Sequence, residues 1–214
     1  DVAQGQLGLT PDFIFMDPLY GYLLGFMFYL FGQNLLLVYL VQVLVDTLTV
    51  YLVYLVGREL WNQRAGIIAA CLYALSSTAL LYTTKILKPT LVANFIILWS
   101  FLAIRMWQTQ RVIAWFWYGL FLGAGVGLRS NLLLLALAAT VMLPWGNCRH
   151  LGLGFRHYRK CLLLLLLGML LPLLLFSGRN FAITGSWSII PPNGGVVLHQ
   201  TYNQDNPGAE HRFS

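Results

Sequence analysis

From Leu35 onward the sequence is a succession of apolar runs, each near the ~20 residues that a helix needs to cross a hydrocarbon core of about 30 Å. They are Leu35 to Val56, Ala65 to Tyr82, Leu91 to Trp107, Ile113 to Leu128, Leu132 to Trp145 and Cys161 to Ser177. A soluble domain carries roughly 25% charged residues because its surface faces water. Here charged residues are 9% and hydrophobic ones 58% of 214, with a mean hydropathy of +0.71. So few charges cannot coat a soluble particle of this size. The expected fold is therefore all-α, a polytopic bundle of six transmembrane spans. A further apolar stretch, Pro18 to Phe31 (PLYGYLLGFMFYLF), is too short to cross and rich in Tyr and Phe. Tyr favours the headgroup level, so this stretch is expected as a helix at the membrane surface.

Charge distribution tests the span count. Six spans place the loops alternately on two sides. One side holds Arg58, Arg64, Arg105, Arg111, Arg149, Arg156, Arg159 and Lys160, with Glu59 as its only acid. The other holds Lys85, Lys88, Arg129, Arg179 and Arg212, with Asp1, Asp12, Asp17, Asp205 and Glu210. Cytoplasmic loops carry the excess of Lys and Arg, so the first side is expected inside and both chain ends outside. Residues 1–33 then read as part of an outer loop with the surface helix, 34–178 as the six-span bundle and 179–214 as the start of another outer loop. The chain begins without Met and shows no signal peptide, so a piece of a longer protein is expected. The basic pI near 9.4 is explained by short cytoplasmic loops and anionic headgroups, with no nucleic-acid partner.

Few residues in such a chain can carry chemistry. Gly119, Gly123 and Gly127 recur every four residues and suit close helix packing. Asp46 is the one carboxylate inside a span; pairing with Thr47, Thr49, Gln42 or a neighbouring helix is its expected role. Lys85, Lys88, Arg129 and Arg179 lie at the outer ends of spans, where cations are otherwise scarce. Together they suit a phosphate held at the membrane surface, because Arg and Lys bind phosphate through charge-assisted hydrogen bonds. Asp1, Asp12 and Asp17 supply outer acids able to act as a general base on an incoming hydroxyl or amine. Cys71 sits in an apolar run and Cys148 and Cys161 flank a basic loop, a pattern of structural thiols. His150, His157, His199 and His211 have no metal-ligand spacing, and no cofactor motif occurs.

The ordered segments resemble bacterial membrane glycosyltransferases of the protein O-mannosyltransferase and aminoarabinose transferase superfamily. DPLYGYLLGFMFYLFGQNLLLVYLVQVLVDTLTVYLVYLVGRELW is similar to that family's first outer loop and following span, where a PLYPY-like segment enters the surface helix and a GRELW-like loop closes the span. ILKPTL resembles its outer turn before the fourth span, and GLFLGAGVGLRSN its GLLLGLAALTRPN turn. Arg179-Asn180, then Gly194-Gly195, then Asn206-Pro207 follow the order of the family's later outer segment. Gly21 stands where Pro is common, and Tyr202-Asn203-Gln204-Asp205-Asn206 replaces a clean GNN.

The resemblance implies a GT-C fold with its active site at the outer face of the bacterial cytoplasmic membrane. It implies transfer of a hexose or pentose from a polyprenyl-phosphate donor to a lipid, glycan or protein acceptor, with inversion favoured. It places the principal catalytic Asp just upstream of Asp1, leaves Asp1 as its neighbour and sets Asp17 at a second functional position. Lys85, Lys88, Arg129, Arg179 and Asn180 are then the expected substrate-binding residues. A transporter or lipid flippase is the alternative; it would use Asp46 and Gln42 to line a route through the bundle.

The sidedness is directly testable. With the native cysteines replaced, Cys at Gln63, Gln108 or Gly152 is expected to resist an impermeant thiol reagent in intact cells, and Cys at Asn193 to react. Labelling at Gln108 from outside overturns the alternation.

Overall fold

The computed structural model describes residues 18–185 and 187, and among these every regular element is a helix. In chain order they are α1 (Pro18–Phe31), α2 (Leu35–Leu60), α3 (Gln63–Ala74), α4 (Ser77–Thr83), α5 (Pro89–Gln108), α6 (Val112–Leu128), α7 (Leu132–Leu151) and α8 (Phe155–Thr184). Local chemistry sets their ends. Asn34 and Asn62 cap α2 and α3 by accepting from the backbone N–H of Leu36 and Ala65. Pro89 opens α5, where its missing N–H costs nothing. Gly152 and Gly185 close α7 and α8 in the left-handed conformation, with φ of 65° and 71°.

The expected all-α polytopic bundle is present, and only its count of six spans is corrected. Four helices, α2, α5, α7 and α8, are long and apolar enough to cross a membrane, or up to five when α3 and α4, bent by 56° at their junction, are taken together. The break falls at Leu75-Ser76, where Leu75 caps α3 and Ser76 precedes α4 with extended backbone. The remaining run forms α6, whose 17 residues reach about 26 Å, short of the core thickness. A helix is present over the expected stretch as α1, and it packs against α6.

Cross-helix pairings fix the directions. Gln42 meets Leu87, Thr49 meets Asn94 and Glu59 meets Arg105, so α2 and α5 run parallel. Asp46 meets Tyr73 while Gly57 meets Gly66, so α3 returns antiparallel to α2. Phe95 stacks on Phe121, centroids 4.3 Å apart, in the antiparallel pair α5–α6. Asn147 near the end of α7 donates to the carbonyls of Met106, Trp107 and Thr109, which closes the C-terminus of α5. Every direction alternates as the charge pattern requires.

The most extensive contact joins α6 to α8. A Cβ added at Gly119 would collide with the Leu165 carbonyl, one at Gly123 with that of Met169, and one at Gly168 with that of Phe116. Gly127 lies against the Phe176 ring. Glycine on both helices thus lets two parallel backbones touch, which is how helices associate where lipid supplies no hydrophobic drive. Trp115, Leu122, Cys161 and Leu165 fill the surrounding core at 0–1% exposure. Cys148 is also buried and Cys71 exposed, all three cysteines being free thiols.

Gly123→Leu is therefore expected to lower the melting temperature in detergent sharply, since overpacking costs about 1–3 kcal/mol even where side chains can yield, and here backbone must move. Gly178→Ala, with nothing within 4 Å of the added atom, is expected to be near neutral.

Candidate functional site

The alternating directions bring Lys85, Lys88, Arg129 and Arg179 to one end of the bundle. The opposite end gathers the larger cation set, where Glu59 pairs with Arg105 at 2.9 Å and lies 3.6 Å from Arg58. At the first end, Lys85 and Lys88 flank the α4–α5 turn, Arg129 caps α6 and Arg179 lies in the last turns of α8. Lys85 and Arg129 are exposed, Lys88 and Arg179 half-buried and Asn180 buried. α8 continues past Arg179 to Thr184, so this guanidinium sits on a helix and not at its edge.

Arg179 is the most constrained of the four. Its Nε donates to the Tyr22 hydroxyl at 2.8 Å and its Nη1 to Asn180 Oδ1 at 3.0 Å. The guanidinium also lies 5.6 Å from the centre of the Tyr22 ring, within cation–π range. Tyr22 thereby ties α1 to α8 across 157 positions of sequence, and sequence reasoning did not single it out. The only signal was its place in the tyrosine-rich α1. Two residues earlier, the Tyr20 hydroxyl is buried without a partner among the described residues, and burial pushes its pKa up. It stays a neutral donor at physiological pH.

The α4–α5 turn is held from below. The Gln42 amide Nε2 donates to the carbonyls of Lys85 and Leu87, at 3.0 and 3.3 Å. Gln42 lies two turns into α2, about 10 Å along the axis from Leu35. The lysine-bearing turn is therefore recessed beneath the start of α2. One turn further down, Asp46 accepts from Tyr73 Oη at 3.0 Å and from Thr83 Oγ1 at 3.1 Å. Thr49, fully buried, accepts from Asn94 Nδ2 at 3.0 Å. Gln42, Asp46 and Thr49, spaced four and three apart, share one face of α2 and bind three successive layers of its neighbours. The expected pairing of Asp46 is present and made by neighbouring helices; Thr47 and Thr49 bond instead to carbonyls of their own helix. Asp46 lies near the middle of α2.

A separate cavity of about 570 Å³ between α5 and α7 is lined by Trp99, Trp107, Met142 and Trp145, with Arg149 at the opposite end of the bundle. Its apolar walls offer nothing to a reacting phosphate. No group of three or more His, Cys, Asp or Glu side chains is placed to hold a metal among the described residues. Asp1, Asp12, Asp17, Gly194-Gly195 and Asn206-Pro207 lie outside the described residues.

A bundle of apolar helices long enough to cross a bilayer, with a short apolar helix against it, defines a multi-pass membrane protein. The profile of the family described as dolichyl-phosphate-mannose-protein mannosyltransferase matches residues 16–177, and the chain belongs to that family. It is thus a membrane glycosyltransferase of the GT-C type, which takes its sugar from a lipid-linked donor. No significant match was found among curated proteins or solved structures.

Gln42→Met removes both donors to the recessed turn and strands two carbonyls. It is expected to cost about 0.6–2 kcal/mol, read as a lower melting temperature of the purified protein.

Proposed function

We propose that the protein transfers a hexose or pentose from a polyprenyl-phosphate donor to a lipid, glycan or protein acceptor at the outer face of the bacterial cytoplasmic membrane. The observation that carries this reading is Arg179, held in place by Tyr22 and Asn180 at the same end as Lys85, Lys88 and Arg129. Breaking the bond between the anomeric carbon and the phosphate oxygen leaves negative charge on the departing phosphate. A cation already fixed in position stabilises that charge without reorganising during the reaction. The acceptor oxygen or nitrogen forms the new bond to the anomeric carbon and gives its proton to a carboxylate. Asp1, Asp12 and Asp17 precede α1 in the sequence, and Asp17 and Asp1 are the acids proposed for this role.

The surrounding parts have matching work in this reading. α1 lies in the outer interface and buttresses Arg179 through Tyr22. The recessed turn offers Lys85 and Lys88 to the phosphate, while the bundle holds the lipid tail in the bilayer. Asn180 orients Arg179 and completes the substrate-binding set with Arg129. A transporter would need Gln42 and Asp46 turned towards a continuous route. Gln42 is instead spent on a backbone turn and Asp46 on two hydroxyls.

The test is transfer from a purified polyprenyl-phosphate sugar by the full-length protein, with expression matched between variants. Arg179→Lys keeps the charge but loses the planar fork that grips phosphate with two parallel bonds. It is expected to impair transfer while membrane insertion is kept. Arg179→Ala is expected to cost on the order of 3 kcal/mol, roughly a hundredfold in rate. Near-normal turnover in Arg179→Ala removes Arg179 from the site; near-normal turnover in Arg179→Lys alone leaves only a general need for a cation.

A further inference from the structure

Beneath the turn that carries Lys85 and Lys88 lies a cavity of about 210 Å³, opened where the α3–α4 span breaks. Its walls include Asp46, Tyr73, Ser76, Tyr82 and Thr90. Thr90 follows Lys88 by two residues and Tyr82 precedes Lys85 by three, so the cavity is continuous in sequence with both cations. Thr90 is 4% exposed, yet its hydroxyl has no hydrogen-bond partner among the described residues. A threonine in the first turn of a helix has carbonyls of the preceding residues within reach, and this one takes none. A buried hydroxyl left unpaired is costly and calls for a partner from outside the described set.

Asp46 adds a second requirement. An ionised carboxylate offers about four lone-pair sites. Tyr73 and Thr83 each fill one, on opposite oxygens. Tyr73 spends its proton on Asp46, so its own oxygen faces the cavity as an acceptor, while the Thr83 hydroxyl is shared between Asp46 and the Ala79 carbonyl. The cavity therefore combines a carboxylate able to take more donors, a buried hydroxyl able to give or take, and two tyrosine rings. A single cation or water does not account for it, since one water needs only ~10–15 Å³ of such space. A compact ring bearing several hydroxyls does: its hydroxyls donate to Asp46, accept from Thr90 and its apolar face meets a tyrosine.

We propose that this cavity receives the sugar of the lipid-linked donor, and that Asp46 and Thr90 are specificity-determining residues that read its hydroxyls. The inference rests on the reading of the Arg179 and Lys88 end as the donor-phosphate site, one helical turn above. The phosphate would then stay with the cations while the sugar points inward beneath them, the anomeric carbon lying between the two.

The experiment is equilibrium binding to the full-length protein in nanodiscs, with three probes: a short polyprenyl phosphate alone, and the same lipid phosphate carrying mannose or glucose. The wild-type protein is expected to bind at least one sugar-bearing probe more tightly than the bare lipid phosphate. Asp46→Asn and Thr90→Val are expected to erase that gain, a loss of roughly tenfold or more for the preferred sugar, while binding of the bare lipid phosphate stays within about twofold. Thr90→Ser keeps the hydroxyl and is expected to keep the gain, which separates recognition from misfolding. The proposal is overturned if no sugar-bearing probe outbinds the bare lipid, if the variants weaken all probes alike, or if they leave the gain intact. Arg179→Ala reads the parent site separately: unchanged binding of the bare lipid phosphate rejects the phosphate site, whatever the sugar arm gives.

Discussion

The carboxylate of Asp46 is the fixed point around which this end of the bundle is built. In a membrane an acid is tolerated only when its surroundings satisfy it. Here the donors come from either side of a broken span: Tyr73 before the break and Thr83 after it. A straight helix would hold these two side chains ten residues, or about 15 Å, apart along its axis. The 56° bend brings both to one carboxylate. Because α4 is thus drawn against α2, the following turn falls low enough for Gln42 to grip its carbonyls. The turn carrying Lys85 and Lys88 is held directly by Gln42, one helical turn from Asp46 on the same face of α2.

The cationic end is organised by a different device. Arg179 is anchored to α1 through Tyr22, and α1 packs on α6, which is itself fused to α8 along a glycine seam. The guanidinium and the helix that orients it therefore belong to one rigid unit. The lysines belong to another, formed by α2, α4 and α5. Contacts of α5 with α6, centred on Phe95, Phe121 and Gly125, and with α7, through Asn147, join the two units. Small changes at that joint would alter the distance between the arginine and the lysines without touching either.

Much of this was legible in the sequence, and the reasons for the rest are specific. Apolar length gave the runs, α1 included, and the Lys/Arg asymmetry gave the alternation that the pairings Gln42–Leu87 and Asn147–Met106 now display. The break at Ser76 escaped because three hydroxyl residues in an apolar run are also compatible with an unbroken span. Asp46 was legible as a residue needing partners, yet Tyr73 and Thr83 could be chosen only once the bend was known. The glycines of α6 announced a close neighbour, but a lone Gly168 in a leucine run gave little indication of which helix it was. The cations were readable from position alone; the tie from Arg179 to Tyr22 was not, since nothing local links residues 157 positions apart.

The glycine seam also dictates an order of construction. α6 and α8 are parallel neighbours separated in the chain by α7, so the ribosome delivers two helices after α6 begins before the seam can close. During that interval α6 is only 17 residues long and presents the notched face of Gly119, Gly123 and Gly127 to lipid or to the insertion machinery, with no backbone filling it. Its retention in the bilayer then depends on earlier helices, chiefly α5, through Phe95 seated at Gly125 and stacked on Phe121. The leucine-rich α8 arrives as the locking piece, and the anchoring of Arg179 becomes possible only at that moment. Assembly of the cationic end is thus the last event among the described helices, because Arg179 meets Tyr22 only once α8 is in place.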